Sequence, residues 1–227
     1  MVEEEQPKTV PATVKAPDID IEKAQKVIFE ATPGPQTDFL ASSEQEVLYG
    51  GAAGGGKSYA MVADPVRYLN NPKANMLLVR RSTEELRELI SVSKQLYPLA
   101  IPGAKFNERE KTWMTPSGAK LWMSYLDRDD DVQRYQGQDF NWIGFDELTQ
   151  WPTPYAWNYM RSRLRTAKGS DLPLNQRATS NPGGPGHAWV KKMFVDPAPA
   201  NTQFDAMDPD TGDVMVWPKN SKFAIAN

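Results

Sequence analysis

Glu46-Val47-Leu48-Tyr49-Gly50-Gly51-Ala52-Ala53-Gly54-Gly55-Gly56-Lys57-Ser58 is an apolar strand run into a glycine loop that ends on a lysine and a hydroxyl. Gly51, four intervening residues, Gly56, Lys57 and Ser58 fit the pattern G-x-x-x-x-G-K-[ST]. Such a loop cradles phosphate, because glycine lets the backbone curl until successive N–H groups face the phosphate oxygens. Here the cradle is Gly51, Ala52, Ala53, Gly54, Gly55 and Gly56. Lys57 is placed to reach the β- and γ-phosphates and Ser58 to put its hydroxyl on Mg²⁺. Tyr59 opens an expected helix to about Leu69, whose N-terminus also favours an anion. Pro65 within it predicts a kink or an early end. A flexible linker would need no lysine or hydroxyl at fixed offsets and no strand before it. The motif therefore asks for ATP and Mg²⁺.

The second half of such a site is Ile143-Gly144-Phe145-Asp146-Glu147. An apolar strand ending in an acid sets a carboxylate beside the loop, where Asp146 can hold Mg²⁺ through water. Glu147, one residue on, is placed to orient or deprotonate an attacking water. Ala178-Thr179-Ser180-Asn181 closes the next strand, and Thr179, Ser180 and Asn181 are positioned to report the γ-phosphate to a neighbouring surface. Gln36 can give a donor and an acceptor to an adenine edge. Transition-state charge on a phosphoryl group needs arginine, and Arg80, Arg81 and Arg134 are the candidates. His187, the one histidine, has no nucleophile pattern near it and reads as a surface or capping residue.

With 227 residues and 40% hydrophobic side chains the chain can build a real core. There is no cysteine, which excludes disulfides and Cys-ligated metal centres. No apolar run approaches the roughly 20 residues that span a bilayer, and no signal peptide is visible. The net charge of −3 hides an asymmetry. Between residues 161 and 192, Arg161, Arg163, Arg165, Lys168, Arg177, Lys191 and Lys192 face only Asp171, a local charge of +6. That stretch is a candidate contact for DNA phosphates, or else a solvated helix face.

Along the chain, residues 1–18 read as a mobile arm and Ile19–Phe29 as a short helix, broken by Ala31-Thr32-Pro33-Gly34-Pro35. Strands are expected at Glu46–Tyr49, Met76–Arg80, Asn141–Phe145 and Asn175–Ser180, with a hairpin from Lys111–Met114 and Lys120–Leu126 about Pro116-Ser117-Gly118. Helices are expected from the Ser82 cap to about Leu96, over Pro152–Leu164 and over His187–Val195. A weak strand covers Lys222–Ile225. Strands alternating with helices mean an α/β fold with a mostly parallel central sheet flanked by helices.

Taken with Pro35-Gln36-Thr37-Asp38-Phe39-Leu40, Leu78-Val79-Arg80-Arg81, Arg134-Tyr135-Gln136-Gly137 and Arg177-Ala178-Thr179-Ser180-Asn181-Pro182-Gly183-Gly184, the two motifs resemble the ATPase domain of the large terminase subunit of tailed bacteriophages, over about Pro33 to Pro197. The resemblance implies a P-loop NTPase of the ASCE, RecA-like type, with residues 1–32 as arm and short helix and 33–227 as the ATPase domain. It implies Gln36 at the adenine, Lys57 and Ser58 at phosphate and metal, Asp146 as the metal acid, Glu147 as catalytic base, and Thr179 to Asn181 as the coupling segment. It also implies a motor that moves double-stranded DNA into a capsid in the host cytoplasm, as a pentameric ring on the portal protein, working with the small terminase subunit. An arginine from one subunit would enter the next subunit's site. In several relatives an arginine directly precedes the glycine that matches Gly137. Here that residue is Gln136, so the finger is Arg134, Arg80, Arg81 or a residue elsewhere. The loop also lacks the arginine that some relatives carry within it. The family's C-terminal nuclease domain is not in this chain, which is read as an excised ATPase domain in preference to a naturally short subunit. A helicase-like or recombinase-like ATPase of the same fold, or a nucleotide-binding scaffold with little turnover, are the competing activities.

Overall fold

The computed structural model describes residues 27–206 and 220–226. Most of the short helix expected over Ile19–Phe29 lies outside them. Six parallel strands form the centre of a sheet: β1 (Glu46–Gly51), β2 (Asn75–Arg80), β5 (Lys120–Tyr125), β6 (Trp142–Phe145), β7 (Asn175–Thr179) and β9 (Asn220–Ala226). Three short antiparallel strands finish its edges: β3 (Lys105–Asn107), β4 (Thr112–Met114) and β8 (Gln203–Asp205). The order is β3-β4-β5-β2-β6-β7-β1-β9-β8. One strand, β7, thus lies between the phosphate-loop strand and the acid strand.

Side-chain alternation explains why β1 and β2 read as apolar runs, whereas β7 is equally buried but mostly polar. Val47 and Tyr49 of β1, with Met76 and Leu78 of β2, point to one face of the sheet, while Leu48, Leu77 and Val79 point to the other. Both faces are covered, as parallel sheets require. The first carries α2 (Lys57–Ala63) and α3 (Thr83–Ala100), through Met61, Leu86, Leu89 and Tyr97. The second carries α4 (Tyr155–Arg161) and α5 (His187–Val190), through Trp157, Met160 and Val190.

The local differences from the sequence expectation have identifiable causes. The breaker at residues 31–35 is also a start, because α1 (Pro35–Ala41) begins on Pro35, where a missing N–H costs nothing. α2 stops at Ala63 and tightens into a 3₁₀ turn at Asp64–Tyr68, where Pro65 ends the regular ladder. α3 starts at the reciprocal cap between Ser82 and Glu85 and runs on through Pro98 to Ala100. α4 is shorter than Pro152–Leu164, beginning only after Pro154. α5 gives way at Lys191 to a wide π-type turn through Val195. Among the described residues no helix is long and apolar enough to cross a membrane.

The positive stretch from 161 to 192 is not one face. Arg161 is buried against Glu46, 2.7 Å away. Arg177 is buried in β7, donating to the Glu44 and Ser42 carbonyls at 2.8 and 3.0 Å, with Asp64 3.6 Å from its Nε. Arg163 and Arg165 bracket Phe140 at the N-terminal end of β6, whereas Lys191 lies by Asn181 at the opposite end of the sheet. Two of the seven bases hold the core together, and the rest are divided between the sheet's two ends.

Candidate functional site

The C-terminal ends of β1, β6 and β7 bring both motifs to one edge of the sheet, although 88 residues separate Ser58 from Asp146. After β1 the loop turns through Gly54 and Gly56 at φ of 85° and 67°. At Gly56 the positive φ strains any side chain, and a Cβ would lie 2.7 Å from Gln36 Nε2, so that glutamine would have to move. Tyr49 Oη donates to the Gly55 carbonyl at 2.8 Å and pins the loop's middle. Lys57 Nζ folds over the loop, donating to the carbonyls of Gly51 at 3.1 Å and Ala52 at 2.5 Å. Burial lowers its pKa, and Glu147 partly opposes that shift. The ammonium is held in place by weak carbonyl partners that phosphate oxygens can replace.

Asp146 is wholly buried at the end of β6. Its Oδ2 accepts from Ser58 Oγ at 3.2 Å and from Arg80 Nη1, and its Oδ1 accepts from Thr179 Oγ1. The serine hydroxyl and the carboxylate are both hard oxygen donors, pointing at one another beside the loop, and they fit Mg²⁺. Glu147 has left-handed backbone, φ 61°, which swings its side chain out of the strand line. Its N–H donates to Thr179 Oγ1 at 3.0 Å, and its Oε1 accepts from Asn181 Nδ2 at 2.5 Å. Thr179 therefore bridges the two acids. Ser180 Oγ lies 3.1 Å from Thr149 Oγ1, and Thr149 Oγ1 donates to the Asn181 carbonyl at 3.3 Å.

Gln36 lies at a cavity of about 400 Å³ that also includes Thr32, Pro33, Pro35, Tyr49 and Gly54 to Gly56. Its Oε1 accepts from Thr32 N–H at 2.7 Å and its Nε2 donates to the Gly56 carbonyl at 3.1 Å. It braces the loop, with one N–H and one lone pair left over for a base edge. Tyr59 packs on Phe29, ring centroids 5.1 Å apart. His187 is exposed and accepts at Nδ1 from Gly183 N–H, 3.2 Å away, tying down the turn before α5 without capping that helix.

The arginines separate. Arg80, 8% exposed, is turned onto its own chain's Asp146, which corrects its candidacy as a finger into a neighbouring subunit. Arg81 pairs with Asp129 at 3.1 Å and lies 5.9 Å from the Trp151 ring. Arg134, 48% exposed, donates to the Tyr125 carbonyl at 2.8 Å and is the most open of the three. Sequence reasoning missed Thr149, Glu85 and Thr32. Thr149 meets Ser180 and Asn181 across the fold, whereas Thr32 and Glu85 meet Gln36 and Arg80 close by in the chain, through contacts that neither motif marks.

Two adjacent acids on the strand next but one to a phosphate loop, joined by a threonine of the strand between, agree with what sequence comparison finds. A family model described as terminase large subunit, T4likevirus-type, N-terminal, matches residues 48–211. The chain belongs to the terminase large subunits. No individually curated protein matches it. Solved terminases share its fold. The large terminase of a thermophilic bacteriophage, in complex with ADP, is 18% identical, with a TM-score of 0.58 over 84% of this chain and 44% of that one. The Thermus phage P74-26 large terminase ATPase domain is 12% identical, with a TM-score of 0.55 over 84% and 79%. The N-terminal domain of the DNA packaging ATPase from bacteriophage phi29 is 16% identical, with a TM-score of 0.54 over 86% and 95%. This terminase chain spans less than half the length of the first large terminases it matches.

Proposed function

We propose that this chain, with residues 33–227 as its ATPase domain, hydrolyses Mg-ATP and couples that hydrolysis to translocation of double-stranded DNA into a capsid. The observation that carries the reading is Glu147. It stands next to the buried Asp146, on left-handed backbone, with its carboxylate held by Asn181. Family membership and the fold support the wider setting: a pentameric ring on the portal protein in the host cytoplasm, with the small terminase subunit as a partner.

The residues divide the work by chemistry. Lys57 exchanges the Gly51 and Ala52 carbonyls for β- and γ-phosphate oxygens, and the loop backbone holds the chain of phosphates. Ser58 and Asp146 would hold Mg²⁺, which supplies charge neutralisation on those oxygens. Gln36 and the cavity beside it take the base. Glu147 accepts a proton from water as the water oxygen bonds to the γ-phosphorus and the bond to the β-γ bridging oxygen breaks, leaving ADP and phosphate. Protonation turns the Asn181–Glu147 contact from a charge-assisted hydrogen bond into a neutral one, roughly half as strong. The change is felt at Asn181, whose carbonyl is tied to Thr149, and so at the turn into Pro182. Thr179, Ser180 and Asn181 thereby couple the reaction to the surface beyond.

Phosphate release from Mg-ATP by the parent, Glu147→Gln and Lys57→Ala tests the assignment. Glu147→Gln keeps size and hydrogen bonding, so it should bind a fluorescent ATP analogue yet turn over about 10²–10⁴-fold more slowly. Lys57→Ala should lose both. Turnover that is unaffected by Glu147→Gln would instead support a nucleotide-binding scaffold.

A further inference from the structure

We propose that Arg80 is a resident counter-ion of Asp146, displaced when a divalent cation enters and received by Glu85, so that filling the site reaches the first turn of α3. The proposal rests on the nucleotide and metal reading above and adds a positioning residue that neither motif contains.

Strand register makes the contact. β2 and β6 pair with Val79 opposite Phe145, so Arg80 and Asp146 leave the sheet side by side. Of Asp146's two oxygens, Oδ1 is tied to Thr179, and Oδ2 faces Ser58. Arg80 Nη1 holds that same Oδ2. The oxygen a metal would use beside Ser58 is thus already neutralised by a cation. A guanidinium and a divalent ion on one buried carboxylate oxygen repel each other in a medium that screens poorly, so the two compete.

A second carboxylate waits for the displaced group. Arg80 Nε is buried without a hydrogen-bond partner among the described residues, and Glu85 Oε2 is 3.8 Å from it. A small rotation moves the guanidinium from one acid to the other, with no stage at which a buried charge lacks a partner. Glu85 Oε2 is also the oxygen that accepts from Ser82 N–H at 3.3 Å and Ser82 Oγ at 3.1 Å in the cap of α3. Arg80's arrival competes for that oxygen, which ties cation occupancy to the start of an 18-residue helix.

The test uses ADP carrying a fluorophore, titrated at a series of Mg²⁺ concentrations, together with thermal melting in Mg²⁺ alone. Glu85→Gln keeps the reciprocal cap, which glutamine also makes, but removes the charge that receives Arg80. It should raise the half-saturating Mg²⁺ for nucleotide binding on the order of tenfold, within the span usual for coupled sites. Arg80→Gln removes the competitor. It should lower that Mg²⁺ requirement by about the same factor and melt at a lower temperature that Mg²⁺ alone restores, while the parent's melting does not respond to Mg²⁺ alone. Arg80→Lys should behave like the parent. If Arg80→Gln does not fold, Glu85→Gln still decides. The same Mg²⁺ requirement in Glu85→Gln and the parent would overturn the handover, as would Arg80→Gln melting that ignores Mg²⁺. A parent that bound no nucleotide at any Mg²⁺ concentration would remove the underlying site reading and the handover with it.

Discussion

Arg161→Ala decides whether the positive stretch from 161 to 192 is a face or partly a core. Arg161 reaches from the last residue of α4 to Glu46 at the start of β1, with Nε and Nη2 both 2.7 Å from Oε1. Glu46 is 1% exposed, and its Oε2 accepts from Ser221 Oγ on β9 at 3.2 Å. Removing the guanidinium leaves a buried carboxylate without its counter-charge. Breaking such a pair costs about 3–5 kcal/mol, a large share of the roughly 5–15 kcal/mol that holds a domain folded. Burial raises the Glu46 pKa above 4.5, and Arg161 is the first influence opposing it. A raised acid favours the protonated form in the folded chain, so stability falls as pH rises from 4.5 through the raised pKa. In Arg161→Ala that pKa rises further. The loss should therefore be largest near neutral pH and shrink as pH falls toward 4.5. Urea unfolding followed by tryptophan fluorescence, repeated down a pH series, measures it. Arg163→Glu and Arg165→Glu, outside this pair, should each change stability by less than about 0.5 kcal/mol. An Arg161→Ala protein within that same margin at neutral pH, or one whose loss did not depend on pH, would refute the reasoning.

Two further outcomes concern the site. Burial lowers the Lys57 pKa below 10.5 and bound phosphate stabilises the ammonium, so nucleotide binding takes up a proton in that window. Affinity for a fluorescent ATP analogue should fall as pH rises through the lowered pKa, and Lys57→Arg, which stays charged, should flatten the profile; affinity that climbs with pH would count against it. All three arginines make contacts within their own chain, but Arg134 is the most exposed, held at the surface by Asp131 and the Tyr125 carbonyl, so specific activity should rise with protein concentration. Arg134→Ala should abolish that rise with little loss of nucleotide binding, and activity simply proportional to concentration from the lowest dilution would exclude a neighbour's arginine.

The phosphate loop was legible because its chemistry is local: glycines, a lysine and a hydroxyl act within one turn of chain. Strands β1 and β2 were legible because a strand covered on both faces favours apolar residues at successive positions, as in Val47-Leu48-Tyr49 and Leu77-Leu78-Val79. Pro65 announced the end of α2 through its missing N–H. The role of each charge was not legible. Arg161 and Arg177 look like surface bases in a positive stretch, yet one neutralises Glu46 and the other is buried among Glu44, Ser42 and Asp64. Arg80 looks like a finger and is instead seated on Asp146 by the register of β2 against β6. A charged side chain's function depends on which opposite charge it meets and on how little water lies between them, and both are set by partners tens of residues away. The order of residues was enough to mark the glycine loop and the two acids as one candidate site. Which cation faces which acid had to wait for the folded chain, because pairing and burial exist only once the sheet has formed.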